Sequence, residues 1–90
     1  MIKPERLKMI RQSLGLTQEQ LAELFGVSFA SVNRWEGQHS SPSGITLQVY
    51  VALDKALREG RDLSKIVSNA KEKESGYILY RLLEAAYGEQ

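Results

Sequence analysis

The sequence predicts an all-α protein built as a bundle of short helices. Apolar residues recur at helical spacing in one segment after another, and each periodic run stops at or near a Gly. No segment alternates between apolar and polar residues for long enough to form a strand. The third observation is size: 90 residues without a single Cys must fold as one economical core, with neither disulfides nor a thiolate metal site to hold it.

The elements follow in order. Pro4 suits a first helical turn and Glu5 the positive end of the helix dipole, with Leu7, Ile10 and Leu14 at helical spacing before Gly15. Thr17 with Gln20 three residues on is a capping box, opening a second helix whose inner face is Leu21, Ala22 and Phe25 and which ends at Gly26. Ser28 is a natural N-cap for a third helix that carries Val32 and Trp35 inward and stops near Gly37. A Gly-, Ser- and Pro-containing loop over 37–44 precedes a fourth helix, expected from about Ile45 to Arg58, with Val49, Leu53, Ala56 and Leu57 inward.

The last thirty residues read differently. Asp62 is placed to cap a short helix carrying Leu63, Ile66, Val67 and Ala70, which runs into the balanced charges Lys71-Glu72-Lys73-Glu74 and a break at Ser75-Gly76. From Tyr77 to Tyr87 a stripe at 79, 80, 82, 83, 86 and 87 predicts a final helix. Residues 1–60 are therefore expected to form the main domain and 61–90 a helical extension. Leu79, Leu82, Leu83, Ala86 and Tyr87, with Tyr80 and Leu24, exceed what four packed helices need. That surplus serves either the intramolecular core or a homodimer interface.

Net charge is +1, with 12 Lys and Arg against 11 Asp and Glu, so overall charge gives no argument for nucleic acid. Within the first sixteen residues, however, four basic side chains face one acid. No apolar stretch approaches the ~20 residues of a membrane span, and the start MIKPERLK lacks the apolar region of a secretion signal. A cytoplasmic protein is expected.

The informative segment is TQEQLAELFGVSFASVNRWEG, residues 17–37. Two short helices joined by Gly26-Val27-Ser28 must cross closely, which requires a small residue at the crossing, a turn residue tolerant of positive φ and apolar side chains on both sides. Ala22, Gly26 and the set Leu21, Phe25, Val27, Val32 and Trp35 meet those requirements. The run Gly15-Leu16-Thr17-Gln18-Glu19-Gln20-Leu21-Ala22, followed by Gly26-Val27-Ser28, resembles the helix-turn-helix of the Xre/Cro/C1, lambda-repressor-like DNA-binding domains. Ser31-Val32-Asn33-Arg34-Trp35-Glu36 resembles that family's recognition helix. The resemblance covers roughly residues 4–58, and nothing recognisable covers 60–90.

The resemblance implies a lambda-repressor-like helical bundle that binds double-stranded DNA, usually as a two-fold dimer, with the third helix, about 28–37, in the major groove. It implies a sequence-specific transcriptional regulator of repressor type. Gln18, at the start of the second helix, is expected on a phosphate. Phe29, Ala30, Asn33 and Arg34 are expected to face the bases: Arg34 suits guanine, Asn33 adenine, and Phe29 or Ala30 a thymine methyl. Phe29 serves equally as a core residue, Asn33 as a plain surface residue and Arg34 as the partner of an acid. Ser31 suits a phosphate. Where the family's loop carries Lys or Arg, this chain offers only hydroxyls, backbone amides and His39, so His39 and Ser40 are the candidate phosphate contacts there. Glu36 is expected to pair with Arg11, either fixing the recognition helix or forming a loose surface pair.

A single His and no Cys supply no metal-ligand set, and the serines lack a triad context, so no cofactor and no enzymatic activity are expected. The alternative function is a protein-interaction module, such as an antitoxin, that binds a protein partner through its C-terminal helix.

Overall fold

The computed structural model describes residues 2–72 and 76–88. The expected break at Ser75, and the charges of Lys73 and Glu74, lie outside the described residues. Six helices follow one another: α1 (Pro4–Ser13), α2 (Gln18–Phe25), α3 (Phe29–Glu36), α4 (Gly44–Arg58), α5 (Leu63–Glu72) and α6 (Ile78–Gly88). There is no strand among the described residues.

Local chemistry sets the boundaries. Pro4 sits in the first turn of α1 with Glu5 beside it, and Gly15 takes a left-handed conformation (φ 72°) that turns the chain towards α2. α5 is opened by Asp62, whose Oδ1 accepts from the backbone N–H groups of Ser64 (3.0 Å) and Lys65 (3.4 Å) and from the Ser64 hydroxyl (2.7 Å). The same corner closes α6, because Arg61 donates to the carbonyl oxygens of Ala85 and Ala86 near its C-terminus. A charged cluster ties α1 to α4: Asp54 accepts from Arg6 Nε at 2.8 Å and from Arg58 Nε at 3.0 Å. Burial raises the proton affinity of Asp54, but the bonds to Arg58 and Arg6 outweigh it and hold the carboxyl below its ordinary range.

One hydrophobic core runs across residue 60. Leu7 and Ile10 of α1, Leu21 and Phe25 of α2, Val32 of α3 and Val49 and Leu53 of α4 form a single cluster with Leu63 and Ile66 of α5 and Leu79 and Leu82 of α6. Small side chains make this possible. Ala52 and Ala56 on α4 and Ala85 and Ala86 on α6 are all buried, so α6 packs closely on α4 as well as on α5.

This packing corrects the expectation of a dimer stripe. Leu79, Leu82 and Ala86 are buried within the single chain and Leu83 is partly buried against the same core, which leaves little of the stripe for a second copy. Tyr87 alone of that set is exposed. The surplus read from the sequence is consumed by α4 and α5, whose alanines and aliphatic residues leave room that α6 fills.

At the centre lies Tyr50, the largest fully buried side chain, which the sequence did not single out. Its ring meets Phe25 edge-on at 5.3 Å and Trp35 edge-on at 6.1 Å between centroids, joining α2, α3 and α4. Its hydroxyl is buried without a hydrogen-bond partner, and burial pushes the phenol well above its ordinary pKa. An unsatisfied buried hydroxyl costs stability, whereas the ring supplies it. Tyr50→Phe is therefore expected to hold or raise stability by up to about 1 kcal/mol, and Tyr50→Ala to lose about 3–5 kcal/mol. Urea denaturation followed by far-UV circular dichroism checks both, and a large loss in Tyr50→Phe would mean the hydroxyl has a partner.

Candidate nucleic-acid interface

The two central helices are defined at every end by residues of their own segment. Thr17 Oγ1 accepts from Gln20 N–H at 3.1 Å while Gln20 Oε1 accepts from Thr17 N–H at 2.9 Å, a complete capping box. Gly26, with φ 71°, ends α2, and Val27 N–H reaches back to the Ala22 carbonyl at 3.0 Å. Ser28 Oγ accepts from Ser31 N–H at 3.1 Å and starts α3. With Val32 buried and Trp35 against Tyr50, the rotation of α3 is fixed. Phe29, Ala30, Asn33 and Arg34 all stand exposed on its outer side.

Beneath that surface lies a polar chain of contacts. Arg11 of α1 grips Glu36 of α3 with both arms, Nε to Oε2 at 2.8 Å and Nη2 to Oε1 at 2.9 Å, and its remaining nitrogen donates to the Leu16 carbonyl at 2.9 Å. Gln18 Nε2 donates to Glu36 Oε1 at 3.0 Å, and Gln18 Oε1 accepts from Asn33 Nδ2 at 3.0 Å. The chain thus runs from α1 through the foot of α3 to the start of α2 and back to the exposed face of α3. Only 12% of the Arg11 side chain and 4% of the Glu36 side chain is exposed. Burial works against ionising Glu36, but the hydrogen bonds of Arg11 and Gln18 and the charges of Arg11 and Lys8 prevail and hold it below the ordinary carboxylate range. Arg11 is raised in turn, chiefly by its hydrogen bond to Glu36.

A family model described as helix-turn-helix matches residues 7–53, just over half of the chain. The chain belongs to the Xre and lambda-repressor-like helix-turn-helix family. No curated protein and no solved structure matches it. The helix-turn-helix family is a DNA-binding, non-enzymatic one. None of the described helices is long and apolar enough to cross a membrane.

In this helix-turn-helix protein the residues expected at DNA are distributed as follows. Phe29 is 49% exposed, so its core alternative is not realised. Arg34 is exposed and forms no ion pair among the described residues. Asn33 is exposed but held on one side by Gln18. The Gln18 side chain is already engaged at both ends, which leaves its second amide hydrogen and the free backbone N–H groups of the first turn of α2 for a phosphate. Ser31 is half-buried, its hydroxyl 2.9 Å from that of Ser28. His39 and Ser40 are both exposed in the loop after α3.

Sequence reasoning missed Lys8. It lies three residues before Arg11, which places both on one side of α1, and it lines a hollow together with Gln18, Asn33 and His39. The spacing of Lys8 and Arg11 was the available signal.

Because Glu36 binds its proton more weakly folded than unfolded, its ionised form adds stability that is complete above the unfolded value of about 4.3 and is lost as pH falls through the lower, folded value. Glu36→Gln, which leaves Arg11 buried without a counter-charge, is expected to cost about 3 kcal/mol at neutral pH. The gap between variant and parent should shrink on acidification below about pH 4.3. Urea titrations at pH 7 and pH 3 measure it, and a gap that is the same at both would show that the Glu36 charge contributes nothing.

Proposed function

We propose that the protein is a sequence-specific double-stranded-DNA-binding transcriptional regulator of repressor type, with residues 28–37 lying in the major groove. The observation that carries this reading is the two-sidedness of α3: Val32 and Trp35 clamp it into the core while Phe29, Ala30, Asn33 and Arg34 project from the other side. A helix held so firmly, with an exposed guanidinium and an amide anchored on one side by Gln18 on its outer surface, fits the donor and acceptor pattern of base edges. Arg34 reads guanine through O6 and N7, Asn33 reads adenine, and Phe29 and Ala30 pack against thymine methyl groups. Gln18, Ser31, His39 and Ser40 hold the backbone and set the register.

Repression follows from occupancy. The molecule measures 34 × 26 × 23 Å, a size comparable with one ~34 Å turn of duplex, so a bound copy blocks other proteins at its site. The alternative, a module that binds a protein partner through its C-terminal helix, draws support from Tyr77, Tyr80 and Tyr87, which flank or lie on α6 and are about half exposed or more. A homodimer, if formed through this helix, uses that tyrosine face and not the buried leucines.

Selection of preferred duplexes from a random pool, followed by fluorescence-anisotropy titration, tests the reading. Arg34→Ala is expected to weaken the preferred site by about 1–3 kcal/mol and to relax selection at one base pair. Equal weakening on every duplex would demote Arg34 to a phosphate contact. Retention of a protein partner in high salt, with no duplex selected from the pool, would favour the interaction module.

A further inference from the structure

Resting on the DNA-binding reading, we propose that Phe29 reads the C5 methyl group of a pyrimidine irrespective of the base that carries it, so that affinity for duplex DNA responds to methylation of cytosine at C5. The chemistry lies in the first turn of α3. Residues at the N-terminus of a recognition helix meet base edges, and here they present hydrocarbon. Phe29 is 49% exposed and Ala30 stands exposed beside it. The other two residues of the turn are committed elsewhere: Val32 is buried, and Ser31 is half-buried with its N–H on Ser28 Oγ at 3.1 Å and its hydroxyl 2.9 Å from that of Ser28. Phe29 is also the only large apolar side chain of α2 and α3 that is exposed among the described residues, and its ring takes no part in the edge-on contacts that join Phe25, Trp35 and Tyr50. The polar readers stand one turn further on, Asn33 beyond Phe29 and Arg34 beyond Ala30.

The major groove answers hydrocarbon with a single group. Base edges there present donors and acceptors, and among the four ordinary bases only thymine adds an apolar mark, its C5 methyl. A phenyl ring has no hydrogen-bonding atom, so it registers that methyl and does not distinguish the O4 acceptor of thymine from the N4 amino donor of cytosine beside it. 5-Methylcytosine carries its methyl on the same ring carbon and projects it into the groove at the same place. Uracil and cytosine lack it. Phe29 therefore sorts pyrimidines by methylation, with thymine and 5-methylcytosine on one side and uracil and cytosine on the other. The polar identity of the pair is left to side chains with donors and acceptors, of which Asn33 is the nearest along the helix and is held in place by Gln18 at 3.0 Å.

The test uses uracil and 5-methylcytosine as paired probes on the duplex that the parent prefers, with affinity followed by fluorescence anisotropy. Replacing thymines by uracil one at a time should weaken binding about fourfold, the worth of one buried methyl, at a position that becomes indifferent to the exchange in Phe29→Ala. With guanine opposite at that same position, 5-methylcytosine should bind about fourfold more tightly than cytosine. The two duplexes differ in the methyl alone, so contacts from Asn33 and Arg34 cancel. Phe29→Ala should abolish this difference too, while Phe29→Leu, which keeps an apolar side chain, should retain both in the same direction. Circular dichroism verifies folding, and because each difference is internal to one variant, a general loss of affinity does not imitate it. Uracil losses that all persist unchanged in Phe29→Ala would overturn Phe29 as the reader. A uracil loss with no matching gain from 5-methylcytosine would tie the contact to thymine itself and overturn the proposal. Firm duplex selection with no response to either probe would overturn it while leaving the DNA reading intact, and failure of the parent to select any duplex would overturn both.

Discussion

The rest of the reading head depends on the grip of Arg11 on Glu36. α3 is only eight residues long, too short to be stable by itself. The guanidinium solves three problems together. It stabilises the ionised form of a carboxylate that burial disfavours, it closes the carbonyl of Leu16 in the turn before α2, and it fixes the C-terminal foot of α3 against α1. Gln18 then uses the same carboxylate as a fixed point from which to hold the Asn33 amide. An Asn amide free to flip presents donor and acceptor interchangeably. One whose nitrogen is tied to Gln18 presents its oxygen on a defined side, so the order built under the surface reaches the surface itself.

The second constraint is the division of labour between large and small residues in the core. Tyr50, Phe25 and Trp35 fill the junction of α2, α3 and α4 with three rings in edge-to-face contact. On its other side α4 presents alanines, and α6 fits closely against them. This asymmetry lets one helix serve two neighbours of different kinds, and it explains why the aliphatic side chains of α6 are consumed inside the chain while its tyrosines remain outside.

Much of this was legible in the residues. Capping at Thr17, Ser28 and Asp62, the turn at Gly26, the pairing partners Arg11 and Glu36, and the inward faces of α1 to α5 follow from local chemistry and helical period, which do not depend on distant parts of the chain. What escaped depends on tertiary context. Tyr50 carries a polar atom and reads as amphipathic, yet it lies at the centre of the core. Leu79 and Leu82 have the right spacing for either an internal or an external partner, and periodicity cannot distinguish the two. The spacing of Lys8 from Arg11 places it on one side of α1 but does not bring it beside the loop after α3, and the left-handed Gln38 in that loop has no sequence signature of the kind that Gly26 provides.

The packing of Tyr77 against the turn extends this dependence to the two halves of the chain. Its hydroxyl lies 3.7 Å from the position a Cβ would take on Gly26, so the chain leading into the last helix lies beside the turn between the two helices of the motif. The core also crosses residue 60, so the motif shares its apolar interior with the last two helices. Cut away at residue 60, α5 and α6 would leave Ala52 and Ala56 of α4 facing water and the turn without its aromatic neighbour. Moved to another protein, these helices keep the packing described here only when α5 and α6 travel with them.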